Sequence, residues 1–108
     1  MKIAFATRDG VHVNEQFRRA SQIAVYEVTA DGHRLDRMCT FSADRSVRTE
    51  ERIRALAGVS IVYGVAYLPS TVQRLIRRGL RPATAPADTA IAAVLEKFVQ
   101  LERDALAK

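Results

Sequence analysis

The residues best suited to chemistry gather near the start of the chain. His12 lies in a polar stretch from Val11 to Arg19, and Arg8, Arg18 and Arg19 flank it. An imidazole in such a loop can ligate a metal or donate to a cluster, or it can simply be solvated. Arginine presents a planar fork of donors that suits anions with several acceptor atoms. Arg8, Arg18 and Arg19 therefore read either as an anion-neutralising set or as a solvated basic face. His33 falls in a hairpin turn, where it is expected to be inert. Cys39 falls in mid-strand, where a small thiol packs. Arg74, Arg77 and Arg78 read as the wet face of a helix.

What is missing narrows the chemistry further. A single cysteine excludes an intrachain disulfide, and it excludes a zinc or iron–sulfur centre built from the thiolates of one chain. Any cluster bound here needs His12, ligands from elsewhere, or a preformed body held by charge and hydrogen bonds. Neither GxxxxGK[ST] nor GxGxxG occurs, and GxSxG, HExxH and CxxC are absent too. The only adjacent carboxylates, Glu50 and Glu51, read as a helix start rather than as an acid/base pair. These gaps point away from an enzyme. A net charge of +5 and a pI near 10.0 predict an anionic partner. A metal-dependent nuclease would need clustered carboxylates, whereas only Asp9 sits beside the first strand. Aromatic residues make up 6% of the chain, too few for a base-stacking platform, so nucleic acid is not the expected partner.

The elements that position these residues follow from periodicity. Lys2 to Thr7 alternates as a strand and Arg8-Asp9-Gly10 turns it. Gln22 to Thr29 and Arg34 to Phe41 form a second and third strand, joined by the Asp31-Gly32 hairpin signal. Ser42 to Arg48 reads as a loop. A helix follows from Thr49 to about Ala57, with Ile53, Leu56 and Ala57 as its apolar stripe and Gly58 as its stop. Val59 to Val65 suits a strand buried on both faces. Pro69 opens a helix whose core face is Val72, Leu75 and Ile76, and Gly79 ends it. Leu80 to Ala85 is a short edge strand carrying Pro82. Asp88 is expected to cap a final helix from Thr89 to about Ala107, with Ile91, Val94, Leu95, Phe98, Leu101 and Leu106 on one face.

The order β, β, β, α, β, α, β, α predicts one α/β domain over residues 1–108: a mixed sheet with helices packed on it. Ligands on such sheets gather beyond the C-terminal ends of strands. The expected rim is Thr7 to Arg19, Ala66 to Thr71 and Ala85 to Thr89, with helix N-termini favouring an anion at the latter two. No apolar run approaches the roughly 20 residues of a membrane span, and the first residues read as a strand rather than a signal peptide. A cytoplasmic address is the default expectation.

MKIAFATRDGVHVNEQF followed by QIAVYEV resembles the start of the NifX/NifY/NafY cofactor-carrier family, the dinitrogenase iron–molybdenum cofactor biosynthesis domain. Ser60-Ile61-Val62-Tyr63, the stretch from Arg74 to Pro82 and the terminal helix from Ile91 extend the likeness over nearly the whole chain. The resemblance implies a ribonuclease H-like fold, a mixed five-stranded sheet flanked by helices. It implies a non-catalytic carrier or storage role in nitrogenase cofactor assembly, with an iron–sulfur cofactor precursor or iron–molybdenum cofactor as cargo. The implied partners are a nitrogenase assembly scaffold or apo-dinitrogenase. The implied site is the loop carrying Arg8, His12, Asn14, Gln16, Phe17, Arg18 and Arg19. One departure stands out: where the family usually reads His-Phe-Gly, this chain reads Gln16-Phe17-Arg18. An amide is a poor soft-metal ligand. Ligation then falls to His12, or the cluster is held electrostatically by Arg8, Arg18 and Arg19. The alternative is a protein-interaction chaperone that docks on nitrogenase or scaffold subunits and binds no cluster.

Overall fold

A computed structural model of the chain describes residues 1–41 and 49–107. The loop expected from Ser42 to Arg48 lies outside the described residues. Strand β1 (Lys2–Thr7) is followed by a two-residue strand β2 (His12–Val13) and a 3-10 turn (Phe17–Arg19). Strands β3 (Gln22–Thr29) and β4 (Gly32–Thr40) come next, then helix α1 (Thr49–Arg54), strand β5 (Ile61–Gly64) and helix α2 (Pro69–Arg77). Strand β6 (Arg81–Thr84), a second two-residue strand β7 (Thr89–Ala90) and helix α3 (Ile91–Leu106) complete the chain.

Five strands form one mixed sheet in the order β4-β3-β1-β5-β6. β1, β5 and β6 run parallel, while β3 and β4 run antiparallel to their neighbours. Alternation along β1 sends its side chains to opposite faces. Ala4 and Ala6 join Ile23, Val25 and Val62 against Ile53 and Leu56 of the α1 segment and Leu75 of α2. Ile3 and Phe5 join Val28 and Ile61 against Ile91, Val94, Leu95 and Val99 of α3. On that second face Phe5 stacks on Tyr63 with ring centroids 5.5 Å apart, and Tyr26 meets Phe5 edge-on at 6.0 Å. No helix among the described residues is long and apolar enough to cross a membrane.

Several expectations shift in detail. α1 ends at Arg54 and continues only as turns to Gly58, so Leu56 is buried but Ala57 is exposed. The hairpin forms, with Ala30 and Asp31 as its loop; Gly32 already pairs with Thr29. α2 buries Thr71 and Leu75 and leaves Ile76 59% exposed, because one residue further on is a 100° rotation away from the sheet. The same geometry puts Leu101 on the wet side of α3, where Val99 takes the buried position; Leu106 is exposed as well. Asp88 does not cap α3. It has a φ of 65°, inside the turn that leads to β7, and Ala90 occupies the cap position with no side-chain cap.

β2 and β7 pair antiparallel as a separate ribbon, with His12 opposite Ala90 and Val13 opposite Thr89. The amides of Asp88 and Ile91 donate to Val13 and Val11, both at 2.9 Å. This ribbon holds the chain extended up to Ala90, so α3 starts two residues later than its sequence pattern predicts.

Candidate functional site

The C-terminal ends of β1, β5 and β6 lie side by side, because those strands are parallel and adjacent. The loops that leave them are stitched together by backbone hydrogen bonds. The Val65 amide donates to the Glu15 carbonyl at 3.0 Å and the Phe17 amide to the Ala66 carbonyl at 3.4 Å. The Ala85 amide donates to the Gly64 carbonyl at 3.1 Å. With the β2–β7 ribbon, these bonds bring the three expected rim segments to one edge of the sheet. The loops pack closely against Gly64, where a β-carbon would make van der Waals contact 3.4 Å from the Phe17 nitrogen and 3.5 Å from the Glu15 carbonyl oxygen.

The loop after β1 is organised by Asp9. One of its carboxylate oxygens, Oδ1, accepts from the Val11 and His12 amides, each at 2.8 Å, and from the Thr7 hydroxyl at 3.2 Å. The other, Oδ2, lies 2.7 Å from His12 Nδ1. The His12 side chain, then its backbone amide and that of Val11, hold the Asp9 carboxyl well below the usual carboxylate range. Thr7 in turn accepts from the Gly10 amide at 2.9 Å. With a carboxylate on Nδ1, the His12 ring is fixed with Nε2 as its other donor or ligand atom, the arrangement by which metal-binding histidines are oriented. Asp9 was visible in the sequence only as an acid in a turn; its Thr7-x-Asp9-x-x-His12 spacing was the available signal.

The other expected residues separate into two groups. Arg8 is engaged within the loop: its amide donates to Asn14 Oδ1 at 2.7 Å, and its guanidinium meets Glu15 at 3.0 Å and the Asn14 carbonyl at 3.3 Å. Asn14 thus staples the loop, and Arg8 already has an anionic partner. Phe17 is fully buried and stacks on Tyr67 at 5.8 Å, so its ring anchors the loop. Tyr67 donates to the Val62 carbonyl at 2.7 Å, and its burial pushes its phenol up. Gln16, Arg18 and Arg19 are exposed, and neither arginine pairs with a carboxylate among the described residues. Arg52, buried at 4%, donates from Nε and Nη2 to the Ala20 carbonyl at 3.1 and 2.9 Å and so clamps the end of the 3-10 turn from α1.

Two residues differ from their sequence reading. His33 is not an idle turn residue: it is the second residue of β4, lies 3.3 Å from Glu96 of α3 and meets the Tyr26 ring edge-on at 6.1 Å. Met38, unmarked in the sequence, places its methyl 3.7 Å from where a β-carbon on Gly10 would stand. Cys39 packs half-buried against the α1–α2 core.

Among the described residues no three His, Cys, Asp or Glu side chains come together to hold a metal ion. Within the loop after β1, His12 offers one imidazole nitrogen, and the 3-10 turn further along carries the exposed guanidinium groups of Arg18 and Arg19.

Comparison with known proteins agrees on the family. A family model described as dinitrogenase iron-molybdenum cofactor matches residues 1–101. The chain is 35% identical to Protein NifX of Klebsiella pneumoniae over 101 residues, covering 91% of this chain and 65% of that protein. It is 30% identical to Protein NifX of Rhodobacter capsulatus over 106 residues, covering 90% and 67%. The chain thus spans about two thirds of the length of these relatives. The crystal structure of PH0822 superposes with a TM-score of 0.70 over 94% of this chain and 91% of that one; at 15% identity the likeness is one of fold.

Proposed function

Because the chain belongs to the dinitrogenase iron–molybdenum cofactor family, we propose that it is a non-catalytic carrier of an anionic iron–sulfur cofactor or precursor in nitrogenase cofactor assembly. The observation that carries this reading is the Asp9-oriented His12 at the strand rim, in a loop that also carries the exposed Arg18 and Arg19. Capture then needs no multidentate site. His12 supplies one exchangeable bond, and the arginines offset cargo charge. A single protein ligand also lets the cargo leave, which a carrier requires. We read the sheet order β4-β3-β1-β5-β6, with β3 and β4 antiparallel, as the ribonuclease H-like arrangement. The delivery partner on this reading is a nitrogenase scaffold or apo-dinitrogenase.

Gln16 and Arg18, standing where the family usually has His and Gly, favour a second reading, a chaperone that docks on those subunits without cargo. One experiment separates the two. The anaerobically purified protein is mixed with the isolated iron–sulfur precursor, and iron is measured in the protein peak on gel filtration. Carriage predicts near-stoichiometric iron on the wild type and clear loss in His12→Ala and Arg18→Ala. A folded wild type that retains no iron sinks carriage and leaves the docking reading.

A further inference from the structure

A second charged feature lies away from the loop. A cleft of about 430 Å³ is lined by Glu50 of α1 and by Arg74, Arg77 and Arg78 at the end of α2. α2 carries the chain back from the rim to β6, whose first residue Arg81 pairs with Ile61 at the start of β5. The C-terminal end of α2 is therefore at the opposite end of the sheet from His12.

Three guanidinium groups within five residues repel one another, since positions three and four apart share a helix face. A common reason for such a cluster is to cap the helix carbonyls and complement the dipole. Here the backbone already does the capping: the Arg78 amide donates to Arg74 and Leu75, Gly79 to Ile76, and Leu80 to Leu75. Glu50 pairs with Arg78. Arg74 and Arg77 have no ion-pair partner among the described residues, and the described lining carries two more positive charges than negative ones.

We propose that this cleft binds a small anion with two separated oxyanion groups, a dicarboxylate or a diphosphate, bridging Arg74 and Arg77. The volume suits a small molecule, for which pockets run roughly 300–1,000 Å³. Among the described residues no aromatic side chain lines the cleft to stack on a nucleobase. Two unpaired forks call for two oxyanions, each able to accept a charge-assisted pair of bonds. Glu50 sets the selectivity: its carboxylate stays against Arg78 and repels a ligand that carries more acid than the two free forks can match.

The test is an NMR titration of the full chain at about 0.1 M ionic strength, where the Debye length is about 10 Å, with sodium pyrophosphate and, separately, sodium succinate. Saturable shifts at the Arg74 and Arg77 Nε–H groups with either anion are expected, and the tighter of the two identifies the ligand as phosphate or carboxylate. Arg74→Gln/Arg77→Gln should raise Kd by about tenfold or more, through loss of both charge-assisted contacts. Glu50→Gln should lower Kd severalfold by freeing Arg78. A control pair, Arg34→Gln/Lys97→Gln, removes the same net charge elsewhere and should change Kd by less than about twofold, as expected for screened charges beyond a Debye length. Absence of saturable shifts with both anions overturns the proposal. Equal weakening by the control pair overturns it too, since the attraction would then belong to the overall charge.

Discussion

At the scale of single residues the candidate site turns on Asp9 rather than on His12 alone. Its carboxylate takes two backbone amides, a hydroxyl and an imidazole, all of which favour the charged form. Its folded pKa therefore lies below the unfolded value of about 3.9. The sign of the linkage follows: Asp9 stabilises the fold above its unfolded pKa, and that contribution is lost as pH falls through the folded value. Following side-chain carboxyl carbons by NMR during acidification should show Asp9 still ionised after the other aspartates have titrated. A midpoint within the ordinary aspartate range would mean that the His12 contact does not hold in solution. Asp9→Ala should also speed hydrogen exchange at the Val11 and His12 amides, which lose their acceptor.

At the scale of elements the loop is held from behind by packing that sequence alone indicated only in part. Phe17 was legible as a member of the loop but not as its anchor, because its partner Tyr67 is 50 residues away in sequence and meets it only once β1 and β5 pair. Phe17→Ala should cost about 3–5 kcal/mol, the usual price of truncating a fully buried aromatic ring. The check is the shift in urea midpoint at unchanged slope; a loss below about 1 kcal/mol would mean that the turn is not anchored by this ring. The long strands, both hairpin strands and the α2 and α3 helices were readable because each carries several turns or repeats of one periodicity. The β2–β7 ribbon was not: two residues per strand carry no period, and Pro86, Asp88 and Thr89 read equally well as a cap. Pro82 in β6 shows the opposite case, a local rule that held. Arg81 and Ala85 donate inward to Ser60 and Gly64, so by alternation position 82 points outward, where a missing amide breaks no ladder bond and blunts the free edge.

At the scale of the whole molecule, on the carrier reading proposed above, the charge of +5 and the His12 imidazole divide the work of capture in time. Long-range attraction acts before contact and is screened by salt over about 8–10 Å at ordinary ionic strength. A ligand bond acts only after contact and is little affected by salt. Charge should therefore govern how fast an anionic cargo arrives, and His12 how long it stays. Stopped-flow mixing with the iron–sulfur precursor should show an association rate that falls by about tenfold or more from low to high salt, as steered encounters do, with a dissociation rate that hardly moves. Arg18→Gln/Arg19→Gln should slow association and flatten its salt dependence while leaving dissociation nearly unchanged. His12→Ala should do the reverse, hastening dissociation at an unchanged salt slope. If both variants alter the same rate constant, the two roles are not separable, and the rim holds its cargo by charge alone.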